Sequence, residues 1–168
     1  MPGRVLITYG TKNGSTAEIA HVVASVLRDE GLEAEVRPPS EVEDVAPYDA
    51  IVIGGALYMG RWHRDARRFT RQHRKDLRER PVWLFSSGPL DPSASERDIP
   101  PVASARRAQR RTDALGHVTF GGRLEAGAKG RMAKAILDEG RGGDFRDLNR
   151  IAEWATDVAH DIGKPESA

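Results

Sequence analysis

One α/β domain built on a doubly wound, mostly parallel sheet is the fold class this chain predicts, and three observations predict it. Apolar runs of strand length alternate with segments of helical periodicity along the 168 residues. Two of those runs, DAIVIGG and PVWLFSSG, are nearly continuous in apolar residues, as strands covered on both faces are. At 39% hydrophobic residues, the chain can bury one sizeable core and is too short for two ordinary ones. A single domain over residues 1–168 is expected, its core running from about residue 4 to 163.

Each element follows in order. RVLITY (Arg4–Tyr9) is apolar and partly β-branched, the first strand. STAEIAHVVASVLRDEG then spaces Ile19, Val22, Val23, Val26 and Leu27 as a helix does, and Gly31 stands where a helix closes. LEAEVRP alternates enough for a second strand before Pro38-Pro39 ends it, and DAIVIGG is the third. RDARRFTRQHRKDLRE predicts one charged helix with a thin apolar stripe of Ala66, Phe69 and Leu77. PVWLFSSG is the fourth strand, GPLDPSASERDIPPV (Gly88–Val102) a long irregular loop, ASARRAQRRTDALG a helix and HVTFGG a short fifth strand. AKGRMAKAILDE and LNRIAEWATDVAHDIG read as the last two helices, with Asp147 as N-cap of the second and Asp144 structural beside it. Right-handed crossovers put helices on both faces, and ligands of such sheets sit beyond the carboxyl ends of the strands.

Composition removes several classes of function. Without cysteine there is no disulfide, thiolate zinc site or cysteine nucleophile, so redox chemistry needs a borrowed cofactor. The histidines are scattered without ligand spacing, and no metal is expected. No apolar run approaches the ~20 residues that cross a bilayer. MPGRVLITYG lacks the pattern of a secretory leader, so a cytoplasmic protein is expected, with peripheral contact at the inner membrane face left open. The formal net charge of +1 does not make a polyanion binder in bulk, yet the positive charge is unevenly placed. Arg61, Arg64, Arg67, Arg68, Arg71, Arg74 and Lys75 crowd one helix and its approach; Arg106, Arg107, Arg110 and Arg111 crowd another. Most such runs are solvated faces, the reading kept for the distal arginines. No nucleic-acid motif or stacking platform accompanies them, so nucleic acid is not expected.

Three post-strand segments carry the chemistry. In YGTKNGSTAEIA, Thr11, Ser15 and Thr16 supply hydroxyls, Gly14 admits close backbone approach, and a helix opens with unpaired N–H groups. An anion such as a phosphate monoester fits there; so does a plain capped turn, and both readings stand. GGALYMGRWHRD follows a buried strand, its Gly54 and Gly55 allowing close approach, its Tyr58 and Trp62 offering flat groups for stacking or for the core. His63 is a proton donor or a helix-start residue. FSSGPLD places Ser86, Ser87 and Gly88 after the fourth strand, as ligands or as an ordinary turn.

YGTKNGSTAEIA resembles the FMN phosphate-loop signature of flavodoxins, with Thr8 the one departure, at a strand position expected to face outward. IVIGGALYMGRWHRDARRF (Ile51–Phe69) resembles the second loop and helix of the menaquinone-dependent protoporphyrinogen IX dehydrogenases, and AEWATDVAHDIGKP is similar to their last helix. The likeness runs from Arg4 to Gly163 and is weakest between Gly88 and Gly116. It implies a flavodoxin-like five-stranded sheet in the order 2-1-3-4-5 with FMN at the switch point. It implies that Thr11, Lys12, Asn13, Gly14, Ser15 and Thr16 hold the phosphate. By the same resemblance Ala56, Leu57, Tyr58, Gly60 and Trp62 flank the ring, Trp62 stacking on it, and Ser86, Ser87 and Gly88 meet its pyrimidine edge. Arg61 and His63 are then the candidates for catalytic work beside the ring.

Three functions follow. An FMN oxidoreductase would pass electrons from a reduced organic substrate, such as a porphyrinogen with propionates, to a quinone, and Arg61 and Arg64 suit such an anion. A flavodoxin-type carrier would shuttle electrons between redox protein partners. A flavodoxin-fold module without flavin would do neither.

Overall fold

The computed structural model describes residues 3–11, 15–58, 60–88, 101–121 and 142–163. Its elements are β1 (Arg4–Gly10), α1 (Ser15–Asp29), β2 (Glu33–Arg37), a 3-10 turn (Pro39–Glu41), β3 (Ala50–Tyr58), β4 (Arg61–Trp62), α2 (Arg64–Gln72), α3 (Arg74–Leu77), β5 (Val82–Gly88), α4 (Ala103–Thr112), β6 (Gly116–Gly121) and α5 (Gly142–Gly163).

Five parallel strands lie in the order β2-β1-β3-β5-β6, and the two-residue β4 turns back antiparallel on the end of β3. With β4 set aside this is the order 2-1-3-4-5 that the resemblance implied. Successive side chains point to opposite faces, so each strand feeds two cores. Val5, Ile7, Val52, Phe85 and Phe120 meet Ile19, Val23 and Leu27 of α1 and Ile151 and Ala155 of α5. Leu6, Ile51, Ile53 and Leu84 meet Ala66 and Phe69 of α2, Leu77 of α3 and Ala105 and Ala108 of α4. The α5 side is locked by an aromatic trio, Phe85, Phe120 and Trp154, with centroids 5.7 to 6.2 Å apart.

Gly31 closes α1 as expected. Its φ of +92° suits a residue without Cβ, and the amides of Gly31 and Leu32 donate back to the carbonyls of Arg28 and Leu27, both at 3.0 Å.

Four expectations change. The charged helix is two helices: the chain leaves helical geometry at His73 (φ −109°, ψ 19°), and Phe69 before the break and Leu77 after it are both buried. Asp147 is not an N-cap, because α5 already begins at Gly142. Thr8 does not face outward; helices cover both faces of β1, and it is fully buried. Ser86, Ser87 and Gly88 belong to β5 itself, paired with Gly55 and Ala56 on one side and Thr119, Phe120 and Gly121 on the other. The helix expected over AKGRMAKAILDE and most of the Gly88–Val102 loop lie outside the described residues.

Candidate functional site

The carboxyl ends of β1, β3 and β5 form one edge, and the three segments singled out in the sequence end there. At β1 the chain passes through Gly10 and Thr11 and enters α1. Thr16, in the first turn of α1, is fully buried and its Oγ1 has no hydrogen-bond partner. A buried hydroxyl left unpaired costs about 1–3 kcal/mol. At the positive end of a helix, an anion would satisfy it. Lys12, Asn13 and Gly14 lie outside the described residues, as does the side chain of Ser15.

Beside this turn a second helix begins. His63 caps α2: its Nδ1 accepts from the amide of Asp65 at 3.1 Å, which leaves the ring proton on Nε2. Burial holds its pKa below the ordinary value against the opposing pull of Asp65, so the ring is neutral at pH 7. Gly10 is the seat for that helix start. A Cβ there would stand 2.8 Å from both the Ala66 amide nitrogen and His63 Nδ1. The structure therefore brings His63 to the end of β1, next to the hydroxyl turn. Gly10 escaped the sequence reading, although a glycine directly before a hydroxyl-rich turn was the available signal. A cavity of about 420 Å³ opens on the β2 side of Thr11, lined by Tyr9, Thr11, Pro38, Ser40, Asp65 and Arg68 among others.

The second segment is a hairpin. Leu57 pairs with Trp62 and Tyr58 with Arg61, and Gly60 makes the turn at φ +75°. Ala56 and Leu57 are half-buried and Arg61 is exposed at the hairpin's open end; the side chain of Tyr58 is outside the described residues. Trp62 corrects the expectation of a stacking indole. It is fully buried, its Nε1 donates to the Phe85 carbonyl at 3.2 Å, and its main-chain amide donates to Ser104 Oγ at 2.8 Å. Its ring occupies the space that a Cβ at Gly55 would fill, 2.4 Å from Nε1. Gly54 likewise makes room for Phe85, whose Cζ would lie 2.1 Å from a Cβ there. These two glycines serve the protein's own aromatics and not a ligand's approach.

In the third segment Ser86 Oγ lies 2.7 Å from His117 Nε2, beneath α4, so its hydroxyl is spent inside the fold. Ser87 Oγ, on the opposite face, is buried without a partner, and Gly88 leaves room for Leu57. His117 is the other residue the sequence reading passed over; a lone histidine inside HVTFGG was its only signal. Burial lowers its pKa to about 4, and its Nδ1 is buried without a partner.

Five parallel strands in the order β2-β1-β3-β5-β6 with helices on both faces, and two helix starts at the carboxyl end of β1, define a doubly wound α/β protein. Residues 6–139 match the family model described as flavodoxin domain, and the chain belongs to that family. Its cofactor is FMN, as the phosphate-loop resemblance implied. The protoporphyrinogen IX dehydrogenase [quinone] of Escherichia coli K12 is 32% identical over 85 residues, a match spanning 49% of this chain and 47% of that protein. Among solved structures, a flavodoxin from the domain Archaea superposes with a TM-score of 0.62 at 11% identity, covering 96% of this chain and 99% of the other. A cysteine-to-serine mutant of Pseudomonas aeruginosa flavodoxin gives 0.62 at 15% identity with the same coverage. These likenesses show the fold. Among the described residues no group of His, Asp and Glu could hold a metal, and no helix is long and apolar enough to cross a membrane.

Proposed function

We propose that the protein is an FMN-dependent oxidoreductase that takes electrons from a reduced organic substrate of the porphyrinogen class and delivers them to a quinone. The observation that carries the flavin part is the buried, unpartnered Thr16 hydroxyl at the start of α1. Thr16, with Thr11, Lys12, Asn13, Gly14 and Ser15, would hold the FMN phosphate; the β3–β4 hairpin (Ala56, Leu57, Tyr58, Gly60) and the end of β5 would border the ring. Bound FMN supplies hydride or electron acceptance. The chain's own residues bind, orient and shield. His63, neutral and pinned through Nδ1, has one ring N–H left to donate near the β1 turn. Arg61, exposed on the hairpin, suits a propionate. The substrate class is supported by the likeness to the Escherichia coli protoporphyrinogen IX dehydrogenase [quinone], matched over about half its length. The flavodoxin neighbours favour a second reading, a carrier between redox proteins.

Titration of apo-protein with FMN, followed by flavin fluorescence, tests the site; no quenching at tens of micromolar would count against it and favour a flavin-free module. Loaded protein is then assayed for oxidation of protoporphyrinogen IX with a soluble quinone analogue. Turnover supports the enzyme. Bound, reducible FMN without turnover supports the carrier.

A further inference from the structure

The arginines that the sequence assigns to separate helices meet in space. Arg111 of α4 donates from Nη1 to Thr70 Oγ1 of α2 at 2.9 Å, tying the two helices side by side on one face of the sheet. Arg67, Arg71, Arg74 and Arg107 surround that junction. The Arg111 guanidinium is held below its ordinary value first by burial and then by Arg71, Arg74, Arg107 and Arg67, and it remains charged at neutral pH. Among the described residues none of these five forms an ion pair; on this helix face ion pairing stops at Arg64 with Asp65. Arg67 Nε is buried without a partner. A solvated helix face accounts for arginines that point apart. It does not account for a half-buried one set among four others, where self-repulsion opposes folding.

We infer that the α2–α4 arginine face is a docking surface for an acidic protein partner, whose carboxylates would meet Arg67, Arg71, Arg74, Arg107 and Arg111. The central guanidinium, that of Arg111, and the helix end that carries it are fixed in advance. Thr70 holds Arg111, and Arg78 donates to the carbonyls of Arg110 and Arg111 at 3.0 and 3.3 Å. Planar guanidinium forks match carboxylates two bonds at a time, and arginine is enriched and lysine depleted at protein interfaces. A lipid surface draws lysine as readily as arginine and needs no fixed fork, yet Lys75 is the one lysine between Arg61 and Arg111. Single-stranded nucleic acid would want stacking rings, and Phe69, the aromatic of α2, is buried. The surface does not depend on the flavin assignment.

The test uses the full chain, with and without FMN, and poly-L-glutamate as the acidic probe. Saturable, salt-sensitive binding is expected. The double variant R71Q/R107Q should weaken it about tenfold or more, whereas R37Q on β2 leaves it unchanged. Relief of repulsion should leave Tm of the double variant equal or higher. The proposal is overturned by absent binding, by binding indifferent to R71Q/R107Q, or by tighter binding to phosphatidylglycerol vesicles or duplex DNA at the same salt. It is overturned equally by a fall in Tm, which would make these arginines part of the fold's support.

Discussion

If Thr16 holds the phosphate as proposed, folding and cofactor capture compete over one hydroxyl. In the protein alone that oxygen is buried and unpaired, a cost that a bound phosphate would remove. Thr16→Ala should therefore weaken FMN binding by about tenfold while leaving the apo-protein as stable or more so. Flavin quenching and denaturant unfolding of the apo form check the two halves; a large loss of apo stability would mean the hydroxyl serves the fold. His117 makes a different demand. Its folded pKa of about 4 lies below that of the unfolded chain, so the unfolded state binds more protons as pH falls from 6.5 toward 4. The stability it contributes is intact above about pH 6.5 and is lost through that window, up to about 2 kcal/mol by pH 5. His117→Gln keeps a partner for Ser86 and cannot titrate. Urea unfolding at pH 7 and pH 5 should show a smaller acid loss for the variant than for the wild type.

At the scale of elements, glycine earns its positions by packing. Gly55 lies under the Trp62 indole and Gly54 under the Phe85 ring, so β3 passes between two aromatic rings on opposite faces of the sheet. Gly55→Ala should destabilise by about 1–3 kcal/mol through overpacking. Gly31→Ala, which meets nothing within 4 Å, should lose only about 1 kcal/mol to its positive φ. Thermal unfolding of the pair separates crowding from backbone strain. Because the Trp62 ring is occupied by Gly55 and the Phe85 carbonyl, Trp62→Phe should cost about 1 kcal/mol in stability for the lost hydrogen bond. FMN affinity should stay within about threefold; a larger loss would restore the indole to the ring. The break at His73 belongs here too: the chain leaves helical geometry there, and Phe69 before it and Leu77 after it both reach the core.

For the molecule as a whole, a ligand that binds only the folded chain must stabilise all of it. FMN at about a hundred times its Kd should add about 2.7 kcal/mol to unfolding, seen as a Tm that climbs with flavin concentration. A Tm indifferent to FMN would argue for the module that has lost flavin. The alternation of strands and helices and the α1 stripe were readable from the residues, because burial on both faces leaves long apolar runs and a buried helix face leaves a 3.6-residue stripe; the strand order came from the family resemblance, and the sheet has it. The turn into α1 was visible as a candidate because its hydroxyls, a glycine and a helix start are neighbours in the chain. Trp62, Gly54 and Gly55 were misread because their partners, Phe85 and Ser104, come from other strands and helices.

What this sequence determined by itself is whatever depends on neighbours along the chain: the alternation of strands and helices, their succession, and a hydroxyl-rich turn leading into α1. Tertiary structure alone decided what depends on neighbours across it. It turned an exposed-looking indole into core, paired Ser86 with His117, set His63 against Gly10 and merged two arginine helices into one face. The physical reason is that local propensity acts over a few residues, whereas packing and electrostatic repulsion act over a few ångströms, whichever part of the chain happens to supply the atoms.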